Sequence, residues 1–235
     1  MTGWLSPEAL QALTLSLKVA SLGTFASLPL GILVAWALAR WRFPGHGLVN
    51  ALVHLPLILP PVVTGYLLLL SFGRRGPIGA FLAEHLGLVF AFRWTGAALA
   101  AAVMAFPLMV RAIRLAFEAV DPGLESAAST LGARPATVFL TVSLPLALPG
   151  VLAGAVTAFA KAMGEFGATI TFVSNIPGQT QTLPLAIYAA LAVPGPEGEA
   201  QAMRLVVVAI VIAFAAVIAS EMFARRVAAR IRGRG

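Results

Sequence analysis

Apolar runs long enough to cross a bilayer recur along the whole chain and constrain it more than any other feature. A crossing helix needs about 20 mostly apolar residues, and such runs occupy 10–39, 48–72, 94–117, 137–163 and 203–223. Of the 235 residues, 60% are hydrophobic and 11% charged, with a mean hydropathy of +0.93. A soluble domain carries about 25% charged residues, so too little polar surface exists here to coat a water-facing globule. The sequence predicts an all-α, polytopic membrane protein, one transmembrane domain over 1–235 with five crossings. A soluble enzyme is argued against.

The net charge of +7 has a membrane explanation that needs no nucleic-acid partner, because arginines at cytoplasmic ends orient a polytopic chain. Trp36 and Trp41, with Arg40 and Arg42, read as an interfacial anchor after the first crossing. Five crossings put the termini on opposite sides. Arg40, Arg42, Arg111, Arg114, Arg134 and the tail arginines 225, 226, 230, 232 and 234 then share one side, against Arg74, Arg75, Arg93 and Arg204 on the other. That asymmetry predicts an external N-terminus and a cytoplasmic C-terminus. No cleavable signal is expected, since the first apolar run is too long for one and is followed by arginines.

Little in the chain suggests chemistry of its own. Cysteine is absent, and the only two lysines, Lys18 and Lys161, follow Leu17 and Ala160 rather than the glycine of a phosphate-binding loop. Histidines 46, 54 and 85 lack zinc-protease spacing, and no Gly-x-Ser-x-Gly elbow occurs. Thr64-Gly65-Tyr66 lacks the residue order of a potassium filter. No catalytic residue, metal or cofactor is expected.

Between the crossings, 78–93 reads as a loop with a surface helix, and Leu183–Val193 is too short to span, which suits an interfacial or re-entrant helix. His54-Leu-Pro-Leu-Ile-Leu-Pro60 echoes Ser143-Leu-Pro-Leu-Ala-Leu-Pro149. Prolines four apart free backbone carbonyls, which at membrane depth need neighbouring helices or a wet cavity; such segments are either kinked packing helices or path-lining ones. Lys161 and Glu165, four apart, can pair on one helical face, and charges within a crossing either line a pathway or form an internal clamp. The candidates for path or gate are Pro60, Pro61, Thr64, Lys161, Glu165, Phe166 and Thr169.

The most informative segment lies between the third and fourth crossings. Asp121 suits an N-cap, Pro122 the first helical position and Gly132 the stop. Leu124, Ala127, Ala128 and Leu131 recur at helical spacing, giving a helix over about 122–131 a narrow stripe of mostly small residues. The segment from Glu125 to Pro145 resembles the cytoplasmic loop signature of ABC importer membrane subunits: Glu-Ala-Ala, three residues, Gly, nine residues, Ile, one residue, Leu-Pro. Ala127, Ala128, Gly132, Val142, Leu144 and Pro145 fall at the required positions, whereas Ser126 stands in the glutamate's place and Glu125 one position earlier. Phe43-Pro44-Gly45, 54–66, Gly73-Arg74-Arg75-Gly76, 106–114, 164–169 and Ser174-Asn175-Ile176-Pro177-Gly178 are similar to molybdate-importer permeases.

The resemblance implies a type I ABC importer permease fold with a coupling helix that docks on a separate ATPase subunit through Glu125, Ser126, Ala127, Ala128, Leu131 and Gly132. It also implies a bacterial inner-membrane location and a second copy of the chain as partner. The other implied partners are a cytoplasmic ABC ATPase dimer and a periplasmic or extracellular oxyanion-binding protein. The cargo it implies is a tetrahedral oxyanion, molybdate first, with sulfate, thiosulfate and tungstate as the alternatives. A stand-alone ion-coupled carrier is the reading from another class, and it has no need of a capped docking helix.

Overall fold

The computed structural model describes residues 4–231, so the expected tail arginines 232 and 234 lie outside the described residues. The described chain is helical throughout, without strands: α1 (Pro7–Arg40), α2 (His46–Ile58), α3 (Pro61–Phe72), α4 (Pro77–Leu86), α5 (Trp94–Glu118), α6 (Pro122–Thr130), α7 (Pro135–Val138), a π-helical turn (Phe139–Ser143), α8 (Leu144–Met163), α9 (Gly167–Val173), α10 (Leu183–Leu191) and α11 (Pro196–Ile231). By length and apolarity α1, α5, α7–α8 and α11 can each cross a membrane, and the bent pair α2–α3 makes a fifth crossing if counted as one.

Helix α5 is the axis of the bundle, packed between α1 and α8. Its buried face is built mostly of small residues, from Gly96 and Ala97 through Ala100, Ala101 and Ala105, with Met109, Ile113 and Phe117 toward one end. In lipid, close packing of small residues replaces the hydrophobic driving force that water would supply. The approach of α8 shows this directly: a Cβ on Gly154 would lie 2.8 Å from Ile113 Cγ1. Lys18, inside α1, places Nζ 3.6 Å from the Trp94 ring centroid, so the ring face accommodates its charge.

The two echoed proline segments fold differently. The run expected as one crossing over 48–72 forms two helices meeting at 113°. Pro60 holds Leu59 extended, at φ −70° and ψ 142°, and Pro61 then starts a new helix at its first position. In the second segment, Pro145 follows the π turn, in which Leu144 N–H reaches back to Phe139 O. The extra residue absorbs the disrupted ladder, and the helix continues. The last helix starts at Pro196, ahead of the apolar run at 203, because Glu197 and Glu199 suit the positive end of a helix dipole yet carry no hydropathy signal.

Candidate functional site

The end of the bundle that carries α6 is assembled from separate parts of the chain. Helix α6 begins where Asp121 Oδ1 accepts from Gly123 N at 2.8 Å and Pro122 sets the first helical φ. It stops at Gly132, whose φ of +86° is a left-handed value that glycine adopts without strain. Gly132 N donates to Ser129 O at 3.0 Å and Ala133 N to Ala128 O at 3.2 Å, the pairing that closes a Schellman stop. The hydroxyls of Ser126, Ser129 and Thr130 donate back to carbonyls of the same helix or its first turn.

None of α6 is buried. Leu131 is 89% exposed and Leu124 49%, and Ser126 and Ala127 are exposed beside them. A nine-residue helix is too short to be stable by propensity alone. The Asp121 cap and the Gly132 stop hold it, and one polar cluster ties it to the body.

Glu125 is the centre of that cluster and points inward. Arg40, the last residue of α1, donates through Nε and Nη2 to Glu125 Oε1 at 3.1 Å each, with Oε2 3.0 Å from Nε. Ser143 Oγ, at the end of the π turn, donates to Oε1 at 2.7 Å. Arg40 Nη2 also donates to Val120 O at 2.9 Å. The two charged side chains are only 16% and 18% exposed. One carboxylate thus ties together α1, the approach to α6, α6 itself and the π turn. Sequence reasoning grouped Glu125 with the ATPase-coupling positions and missed Arg40 and Ser143 as its partners; the one available signal was the glutamate's displacement from the signature position.

The path candidates divide. Pro61, Thr64, Glu165, Phe166 and Thr169 gather where α3 crosses α9. There a Cβ on Gly65 would lie 2.5 Å from Ala168 O, and one on Gly167 2.8 Å from Pro61 Cβ. Thr64 and Thr169 are buried, and Thr64 Oγ1 has no hydrogen-bond partner among the described residues. Phe166 packs against Tyr188 with ring centroids 5.2 Å apart, and Pro60 lies exposed at the bend. Lys161 Nζ donates to Glu165 Oε2 at 3.0 Å, and Glu165 Oε1 accepts from Ala168 N at 3.0 Å. Both carboxylate oxygens of a 2% exposed side chain are therefore engaged. Among the described residues no three His, Asp or Glu side chains cluster as a metal site.

Residues 27–233 match the model of the family described as binding-protein-dependent transport system inner membrane component. The chain is 59% identical over 215 residues, covering 92% of it and 93% of the relative, to the molybdenum transport system permease protein ModB of Escherichia coli K12. It is 54% identical over 217 residues to ModB of Haemophilus influenzae, covering 92% of this chain and 94% of that one. It is also 36% identical over 186 residues to the sulfate transport system permease protein CysT of Salmonella typhimurium, covering 79% and 67% respectively.

Two solved structures share the fold. One is a bacterial ABC transporter involved in import of the acidic polysaccharide alginate, with TM-score 0.72, 17% identity and coverage of 94% and 80%. The other is an amino acid ABC transporter, with TM-score 0.66, 20% identity and 94% of both chains. Over most of its length the chain belongs to the family of binding-protein-dependent transport system inner membrane components.

Proposed function

We propose that this chain forms the translocation path of an ATP-driven importer for a tetrahedral oxyanion, molybdate. The observation that carries the cargo is the 59% identity to a molybdenum permease over 92% of the chain, against 36% over 79% for a sulfate permease. A stand-alone carrier does not fit a family defined by dependence on a binding protein. The chain works as a pair with a second copy. It sits on two cytoplasmic ATPase subunits and receives its cargo from an external binding protein. The α6 end faces the cytoplasm, as the arginine asymmetry supports.

The permease itself is a two-state element: its inward- and outward-facing packings differ, and closure of the ATPase pair biases the equilibrium between them. Helix α6 is the handle through which that bias enters. Its outward surface, Leu124, Ser126, Ala127 and Leu131, suits a groove on the ATPase, and its inward surface transmits displacement to α1 and α8 through Glu125. The path need not hold the anion tightly, since conduction requires release.

The direct test is uptake of labelled molybdate against labelled sulfate into vesicles holding the permease, its ATPase and its binding protein. ATP-dependent accumulation of molybdate in preference to sulfate is expected, and the reverse preference would reassign the cargo. The handle has its own test. At Gly132 a β-branched residue meets a left-handed backbone costing about 1–3 kcal/mol, so Gly132→Val should loosen the end of α6. Membrane abundance is expected to stay normal while uptake per ATP hydrolysed falls; normal uptake would remove the docking role from this turn.

A further inference from the structure

Arg111 is the charged residue least explained by the fold. It lies seven residues before Glu118, the last residue of α5, so it sits roughly 10 Å inside the helix end at 1.5 Å per residue. It is exposed, and no hydrogen bond or ion pair engages it among the described residues. Guanidinium groups within a crossing are costly and face a wet cavity or a partner.

A pocket of about 290 Å³ opens beside it, lined by Asn50, His54, Arg111, Arg114, Leu115 and Glu118. His54 lies eight residues into α2 from His46, about 12 Å along the helix, so α2 and α5 bring their polar groups to one depth. The second guanidinium is held rather than loose: Arg114 donates through Nε to Glu118 Oε1 at 2.7 Å and through Nη1 to Asn50 Oδ1 at 3.1 Å. An arginine carries five N–H donors, so Arg114 keeps donors in reserve, and all those of Arg111 are unclaimed. Glu118 offsets one of the two positive charges, which leaves the pocket net positive.

We propose that this pocket between α2 and α5 is an oxyanion site, in which Arg111 and the spare donors of Arg114 take a tetrahedral dianion. Planar guanidinium forks match two oxygens of such an anion at once. The site rests on the cargo reading above and extends it, giving the anion a stepping point near the α6 end of the path. A lipid phosphate headgroup offers the same tetrahedral chemistry, so the test must separate the two.

The permease–ATPase complex, with binding protein, is reconstituted as wild type, R111Q and R111K in vesicles of a phosphate-free galactolipid and, in parallel, in the same vesicles with added phosphatidylglycerol. Crystals of the complex soaked in tungstate supply an anomalous difference map. A tungsten peak beside Arg111 is expected in the wild type and not in R111Q. Uptake per ATP is expected to fall about tenfold in R111Q, the scale of one charge-assisted hydrogen bond, and less in R111K, which keeps the charge without the fork. Because Arg111 makes no hydrogen bond or ion pair among the described residues, R111Q has none there to lose, and equal membrane abundance of the three proteins checks this.

Absence of the peak in the wild type would overturn the site, as would wild-type uptake per ATP by R111Q. An R111Q defect confined to the vesicles that contain phosphatidylglycerol would overturn it in favour of a headgroup. If the wild type carries sulfate and not molybdate, the cargo reading alone falls, and the tungsten peak beside Arg111, present or absent, still decides the site.

Discussion

Replacing Glu165 with alanine is expected to lower the apparent Tm of the purified permease by roughly 5–10 °C, scaling from 2–4 °C per kcal/mol for a chain of this size. Two groups lose their partner together. Ala168 N–H, at a residue with no solvent exposure, loses its acceptor, and an unsatisfied buried donor costs about 1–3 kcal/mol. Lys161, its side chain 31% exposed, keeps an ammonium with no carboxylate beside it. The first residues of α9 are then unanchored where α3 packs closely on them, and the α3–α9 seam loosens.

The same pair separates the two readings of an intramembrane charge. In Glu165→Gln the amide oxygen still accepts from Ala168 N, and only the charge facing Lys161 is lost. Adding Lys161→Met removes the stranded ammonium. A clamp predicts that the double variant recovers most of the wild-type Tm and most of its uptake, the coupling expected of residues in contact. A path-lining carboxylate predicts a stable double variant that does not transport, and that result would move Glu165 from the fold to the path. The geometry favours the clamp, because the carboxylate is 2% exposed and each of its oxygens already accepts from a partner within the fold.

Local signals were legible in the sequence and distant pairings were not. Asp121, Pro122 and Gly132 mark α6 because each acts on the backbone within a residue or two of itself. Lys161 and Glu165 were visible as a pair for the same reason, one helical turn apart. The second duty of Glu165 was not visible, since it depends on the turn at Gly164–Phe166 bringing Ala168 N–H back to the carboxylate. Prolines at 60, 61, 145 and 149 flagged both broken segments, yet one became a 113° bend and the other a π turn. What differed was adjacency: consecutive prolines end a helix, whereas single prolines four apart leave residues between them to carry the ladder. The pocket at Arg111 was hidden because the arginine counted as an interfacial charge until α2 was seen to pack beside it.

The Arg40–Glu125 pairing joins residues 85 apart in sequence, and it carries the largest functional prediction. Glu125→Ala is expected to leave α6 formed, since alanine is the better helix former and the Asp121 cap and Gly132 stop are untouched. What it removes is the tether. Ser143 Oγ loses its acceptor, and Arg40 keeps only Val120 O. With α6 docked on the ATPase as proposed, a helix that no longer grips α1 and the π turn would yield under load, so ATPase closure would move α6 without moving the crossings.

Coupling free energies between sites are typically about 1–3 kcal/mol, or 5- to 150-fold, so uptake per ATP hydrolysed should fall on the order of 10- to 100-fold while the ATPase stays bound. Ser143→Ala, which deletes one of the bonds and leaves the ion pair, should fall between wild type and Glu125→Ala. That gradation distinguishes a mechanical tether from a contact made directly to the ATPase: a Glu125 that faced the ATPase would weaken subunit binding when removed, and Ser143→Ala would have no effect. Reconstituted complexes measured for subunit retention, ATP hydrolysis and uptake in parallel decide between them, and wild-type uptake per ATP in Glu125→Ala would show that the carboxylate transmits nothing.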